Sequence, residues 1–199
     1  IQVIAQERRQ RTENSARGKR REEVNTLIYK NHPYRNPVIG WMEDILSITR
    51  DQAYDYYRKY YTPNNATLVL CGDFDAEEIL EKVKTYFGSV PRGPELDTPR
   101  FYRVMPEGQK ILKFKHPDIL NEAVNMYFNA PTRFQDDGPA LYVAGKILCG
   151  RSATSRLYKR LVRQEELCSS VGGGLSFSKD PRTFNIGMHL LPGSSVDDV

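Results

Sequence analysis

Glu7 is the residue best placed to do chemistry near the start of this 199-residue chain. It lies four residues after Val3 and three after Ile4, so on a helix it projects along their apolar stripe. A carboxylate drawn out of water there needs a compensating cation, because burying an isolated charge is costly. Two cations are open to it. Arg11, at i+4, would give an ordinary helix-surface ion pair worth about 0.3–0.5 kcal/mol. A metal ion would use the same carboxylate as a ligand. Spacing alone favours Arg11.

The other chemically capable residues are less informative by themselves. Arg156, Arg160 and Arg163 share one face of a helical stretch and read as solvated charge. His32 and His116 each precede a proline, His189 sits among apolar strand residues, and none has a second His or Glu at helical spacing. All three read as structural. Cys71, Cys149 and Cys168 are odd in number and form no C-x-x-C pair, which argues against a disulfide framework or a thiolate zinc site. They read as small buried apolar residues. Gly172-Gly173-Gly174 has no lysine at P-loop spacing, so a strand bulge is the better reading.

The elements that must position these residues belong to a globular protein. Hydrophobic residues make up 39% and charged residues 27%, too apolar for a disordered tail, and no apolar run is long enough to span a bilayer. Net charge is +4. Much of the excess falls in Arg8-Arg9, Arg11 and the run from Arg17 to Arg21, without the interleaved aromatics that nucleic-acid binding wants. That run reads as a solvated helical face. The first residues already read as helix and Asp197-Asp198 as the start of another, so both ends are expected to cut through structure.

A helix is expected from Ile1 to about Asn14, interrupted at Ser15-Ala16-Arg17-Gly18, and a second through Val24, Leu27 and Ile28, stopping before His32-Pro33. Thr49 to Gln52 fits a capping box for a helix whose Tyr54, Tyr57 and Tyr61 form a packing stripe. Ala66 to Cys71 reads as a buried strand, and Asp75 caps a helix striped by Ile79 or Leu80, Val83 and Phe87. Proline and glycine crowd the stretch from Val90 to Pro106, an expected interdomain linker. Beyond it, Lys110 to Lys115 and Ala123 to Ala130 read as strands, with helices from Asp137 to Gly150 and from Ser152 to Gln164. Two final strands flank Ser178-Lys179-Asp180-Pro181, the second with Phe184, Ile186, Met188 and Leu190 on one face. The order implies an α+β fold with antiparallel sheets.

Several runs together resemble the pitrilysin/insulinase family of inverted zinc peptidases. They are Ile1 to Arg9, the stretch from His32-Pro33-Tyr34 through Gly40-Trp41 to Ile45, Thr49-Arg50, Tyr60 to Ala66, and Gly72-Asp73-Phe74. The resemblance implies a two-lobed metallopeptidase, each lobe an antiparallel sheet with packed helices and both lobes incomplete here. Residues 1–93 would be the later part of the zinc lobe, 94–106 the linker, and 107–199 the early part of a non-catalytic, substrate-holding lobe. Such proteins hydrolyse peptide bonds with zinc-activated water, held by His-x-x-Glu-His and a downstream glutamate. By the resemblance Glu7 is that downstream ligand. The two histidines and the general-base glutamate are expected upstream of Ile1, so no catalytic residue is expected in this chain and it should be inactive alone.

The resemblance also implies that Arg163 and a tyrosine six residues later hold the substrate backbone, but that second position is Ser169, with a shorter hydroxyl. The implied partner is a peptide or small-protein substrate, with a homodimer or two-subunit assembly open and an extracytoplasmic bacterial location favoured. The alternative is a non-catalytic homologue serving as a subunit or scaffold, to which Ser169 lends weight.

Overall fold

The computed structural model describes residues 1–97, 99, 101, 107–180 and 183–199. Pro106 and several neighbours in the expected linker, and Pro181 of the expected turn, lie outside the described residues. The chain divides into two units, Ile1–Asn14 with Asn36–Tyr102, and Ser15–Arg35 with Arg103–Val199.

In the first unit, α1 (Gln2–Arg8) runs into a π-helical segment, Arg9–Glu13, whose end is marked by the Asn14 amide donating to the Arg9 carbonyl at 2.8 Å. Its buried side is Ala5, Arg8 and Thr12, while Val3 and Ile4 are exposed, contrary to the expected apolar stripe. The buried stripe keeps helical spacing but lies on a neighbouring face of the helix, because Arg8 docks on the loop before Met42–Ser47 and turns Ala5 and Thr12 inward with it. Arg8 joins α1 to the loop before α3 (Met42–Ser47): its Nη1 donates to the Gly40 carbonyl at 2.8 Å, and its guanidinium lies 5.7 Å from the Trp41 ring. Gly40 has φ +86°, a conformation that favours glycine.

Two further helices start where local chemistry says they should. Thr49 and Gln52 close a reciprocal capping box on α4 (Arg50–Tyr60), and the Asp75 carboxylate accepts from the Glu77 and Glu78 amides at the start of α5 (Ala76–Phe87). Between them the expected strand is absent. Ala66 to Cys71 is extended but joins no ladder among the described residues, and Leu68, Val69 and Leu70 are exposed. β-propensity supplies a backbone shape, whereas a strand needs a neighbour for its amides and carbonyls. Cys71 is exposed with it. Tyr54, Tyr57 and Tyr61 also stay exposed, touching one another rather than a core. The Asn64 side chain ties down the proline-rich stretch, accepting from the Gly93 amide and donating to the Pro94 carbonyl.

The second unit holds the sheet. Strands β1 (Ala123–Asn129), β2 (Cys168–Leu175) and β3 (Thr183–Leu190) pair antiparallel in the order β1-β3-β2. Phe184, Ile186, Met188 and Leu190 are buried on one face, as their alternation predicts. They meet α6 (Gly138–Cys149) and a helix that begins as α7 (Arg156–Tyr158) and continues as a π segment, Lys159–Gln164, in a core including Cys149, Leu161, Cys168 and Val171. Lys110 to Lys115, expected as a strand, joins no ladder among the described residues, and Ile111 is exposed. The ladder irregularity falls between Cys168 and Ser170 rather than at the three glycines, which pair in register. At Gly173 the missing side chain serves close approach, since a Cβ there would stand 2.1 Å from the Asn185 carbonyl oxygen, whereas Gly174 has φ +131° and open space around it. The remaining long helix, α2 (Ala16–Ile28), is N-capped by Ser15, which accepts from the Gly18 amide at 3.2 Å, so Ser15 to Gly18 starts a helix rather than merely interrupting one.

Candidate functional site

Glu7 sits near the end of α1 and is half-exposed. Its Oε1 lies 2.9 Å from Arg11 Nη1, the i+4 partner that spacing favours. One residue further, Arg8 is almost fully buried and its Nε lies 3.6 Å from Glu13 Oε1. The helix thus sets a charged side, Glu7 and Arg11, beside a docked side, Arg8. Sequence reasoning places Arg8 in a solvated run; the signal against that is its helical spacing from the small Ala5 and Thr12, which share its buried side. Among the described residues no group of three His, Cys, Asp or Glu is placed to hold a metal ion. A single carboxylate already bridged by a guanidinium does not fit a zinc ion by itself, which needs three protein ligands in an open catalytic site.

The histidines are structural in placement. His32 is buried, its Nδ1 accepts from the Tyr34 amide at 3.2 Å, and its Nε2 faces Asp180 Oδ2 at 3.6 Å. The Tyr34 hydroxyl accepts from the Asp180 amide at 3.2 Å, so the His-Pro-Tyr turn is fastened to the loop between β2 and β3. His116 caps its own turn by accepting from the Asp118 amide, and His189 is exposed on β3. Burial pushes the Cys149 and Cys168 thiols above their ordinary pKa, which makes them poor nucleophiles and poor metal ligands.

Arg163 and Ser169 lie in the second unit. Arg163 is exposed in the π segment, with its guanidinium 5.7 Å from the Tyr158 ring. Ser169 lies on β2 at the ladder irregularity, and its hydroxyl donates to the His189 carbonyl at 3.1 Å. The turn between them contains Glu166 at φ 53°, a left-handed non-glycine residue next to the start of β2. An exposed guanidinium can fork a carboxylate or donate to a carbonyl, whereas the serine hydroxyl already donates its hydrogen bond to the sheet.

Comparison with known proteins shows what these residues belong to. The family model described as "Peptidase M16 inactive domain" matches residues 47–199. The zinc protease PqqE of Helicobacter pylori is 30% identical over 170 residues, covering 84% of this chain and 38% of that protein. A non-peptidase homolog of the same organism, YmxG, is 27% identical over 155 residues, covering 76% of this chain and 34% of that protein. A crystal structure of a protease from Helicobacter pylori superposes with a TM-score of 0.84 at 27% identity, covering 99% of this chain and 48% of that one. The chain therefore spans less than half the length of these relatives.

Proposed function

Because the chain belongs to the peptidase M16 family, in the part described as its inactive domain, we propose that it contributes to a zinc-dependent endopeptidase or oligopeptidase acting on peptides or small proteins. Glu7 would add one carboxylate to a metal site whose histidines and general base come from sequence preceding Ile1. The charged side of α1 supports this, since Glu7 is paired at its surface with Arg11 and can exchange that partner for a metal. The lobe reading follows the same lines, with residues 1–93 serving the zinc side, 94–106 linking, and 107–199 holding substrate. There Arg163 would grip the peptide backbone, and Ser169 would contribute little.

The observation that carries the proposal is the superposition of 99% of this chain on 48% of a protease at 27% identity, together with a zinc protease relative at 30%. The reading also places the protein outside the bacterial cytoplasm, on the resemblance alone, and leaves assembly with a second copy or a partner subunit open. No helix among the described residues is long and apolar enough to cross a membrane.

A second reading has its own support. Ser169 replaces the expected tyrosine and is tied into the sheet, and one relative is named a non-peptidase homolog. Such a protein would be a subunit or scaffold. The deciding experiment is hydrolysis of an internally quenched peptide by the complete protein, with and without a zinc chelator. Chelator-sensitive turnover supports the peptidase; peptide binding without turnover supports the scaffold.

A further inference from the structure

In the second unit, α2 and the sheet enclose a cleft of about 230 Å³ on the face opposite the core. Thr183 and Asn185 line it, alternating along β3 with the buried Phe184 and Ile186, and Tyr127 joins them as the register partner of Asn185. From the helix side come Arg21 and Asn25, with Ile28 and the buried Tyr29 forming an apolar wall. Arg21 is exposed and makes no ion pair among the described residues, so its guanidinium donors at the mouth of this polar recess are available to an anionic group. Nothing in the proposed function uses this cleft.

The lining selects its ligand. One planar guanidinium matches a planar carboxylate through two parallel hydrogen bonds, whereas a phosphate dianion would want further cations or helix-end amides that the cleft lacks. The side-chain amides of Asn25 and Asn185 each offer a donor and an acceptor, the complement of a peptide unit. Ile28 and Tyr29 offer apolar surface to a terminal side chain. The volume is below the roughly 300–1,000 Å³ of pockets for drug-sized molecules, so it suits the end of a chain rather than a whole ligand.

We infer that this cleft receives the C-terminal carboxylate of a peptide, with Arg21 as the residue that recognises it. The choice of a peptide rests on the peptidase reading, but binding requires no hydrolysis. The carboxylate forks on Arg21, the last peptide unit bonds the two asparagines, and the last side chain lies against Ile28.

The test titrates the full chain with N-acetyl-Ala-Ala-Phe bearing a free carboxylate and with the same peptide as its C-terminal amide, followed by NMR chemical shifts. The acid should bind at least about tenfold more tightly than the amide, the loss expected when the charge-assisted fork on Arg21 is reduced to a neutral hydrogen bond. Arg21→Gln should bring the acid down to the amide's affinity, Arg21→Lys should recover part of the difference, and inorganic phosphate should not compete. Arg21 is exposed, so circular dichroism of both variants should be unchanged. Equal affinity for acid and amide, no binding of either, a preference that survives Arg21→Gln, or displacement by phosphate each overturns the assignment. Turnover of internally quenched peptides by the complete protein is a separate measurement. Turnover without any acid preference sinks the cleft and leaves the peptidase reading standing.

Discussion

Arg160 Nε lies 2.7 Å from Glu165 Oε1, five residues further along the same chain. Arg8 and Glu13 repeat the relationship at 3.6 Å in the other unit. In an α-helix, side chains three or four apart are neighbours; five apart becomes a neighbouring pair when the backbone takes i→i+5 bonds. Both segments do so, as the Asn14 to Arg9 and Glu165 to Arg160 backbone bonds show. The helix bearing Glu7 and the helix bearing Arg163 therefore share one local distortion. Single-turn π segments of this kind occur often at functional sites.

Glu7→Gln should strip zinc from the complete protein while leaving its fold intact, because the Glu7–Arg11 pair is largely exposed and worth only about 0.3–0.5 kcal/mol. Metal content by elemental analysis, read beside the melting temperature, checks this. Unchanged zinc in the variant would remove Glu7 from the metal site.

Arg163→Ala in the complete protein should lower kcat/KM for peptides by about tenfold without altering zinc content, the scale of one charge-assisted contact. Ser169→Tyr should raise peptide affinity, since the added ring carries a hydroxyl beyond the sheet that now holds the serine. Wild-type kinetics for the first variant would reduce Arg163 to surface charge.

Gly173→Ala should destabilise the second unit by about 1–3 kcal/mol, through overpacking against backbone that cannot step aside. Chemical denaturation of the chain measures this directly; a midpoint unchanged from wild type would contradict the close approach to Asn185.

Glu166→Gly should act in the opposite direction. Relief of a left-handed conformation at φ 53° gains about 1–2 kcal/mol, partly offset by the freer unfolded chain, for a net gain of about 0.5–1 kcal/mol. The expected result is a higher melting temperature.

In this chain a thiol reagent should label Cys71 quickly and Cys149 and Cys168 only after unfolding, because the first is exposed and the others are buried. The raised pKa of the two buried thiols has a sign for stability. Folding disfavours their thiolates, so their contribution is fully present below the ordinary thiol pKa of about 8.5 and is lost as pH rises through the folded values. Denaturation midpoints should fall across that alkaline range, and fall less in a variant with both cysteines changed to alanine.

Much of the local architecture was legible in the residues. The Thr49–Gln52 box, the Asp75 cap and the alternation of Phe184 to Leu190 depend on atoms within a few positions of one another, and each formed as expected. Glu7 with Arg11 belongs to the same class, a pair set by helical spacing.

What needed tertiary structure was every feature with a distant partner or a re-phased helix. Leu68 to Leu70 has the composition of a strand, but a strand forms only where a neighbouring backbone takes its hydrogen bonds, and composition does not name that neighbour. Arg8 looked like one more solvated charge until the Gly40 carbonyl, 32 residues away, accepted its hydrogen bond. Arg21 gained its meaning in the same way, from Thr183 and Asn185 across a fold that no local pattern encodes. Local chemistry wrote the helices and the sheet face; long-range packing chose which charges would be buried and which left free to bind.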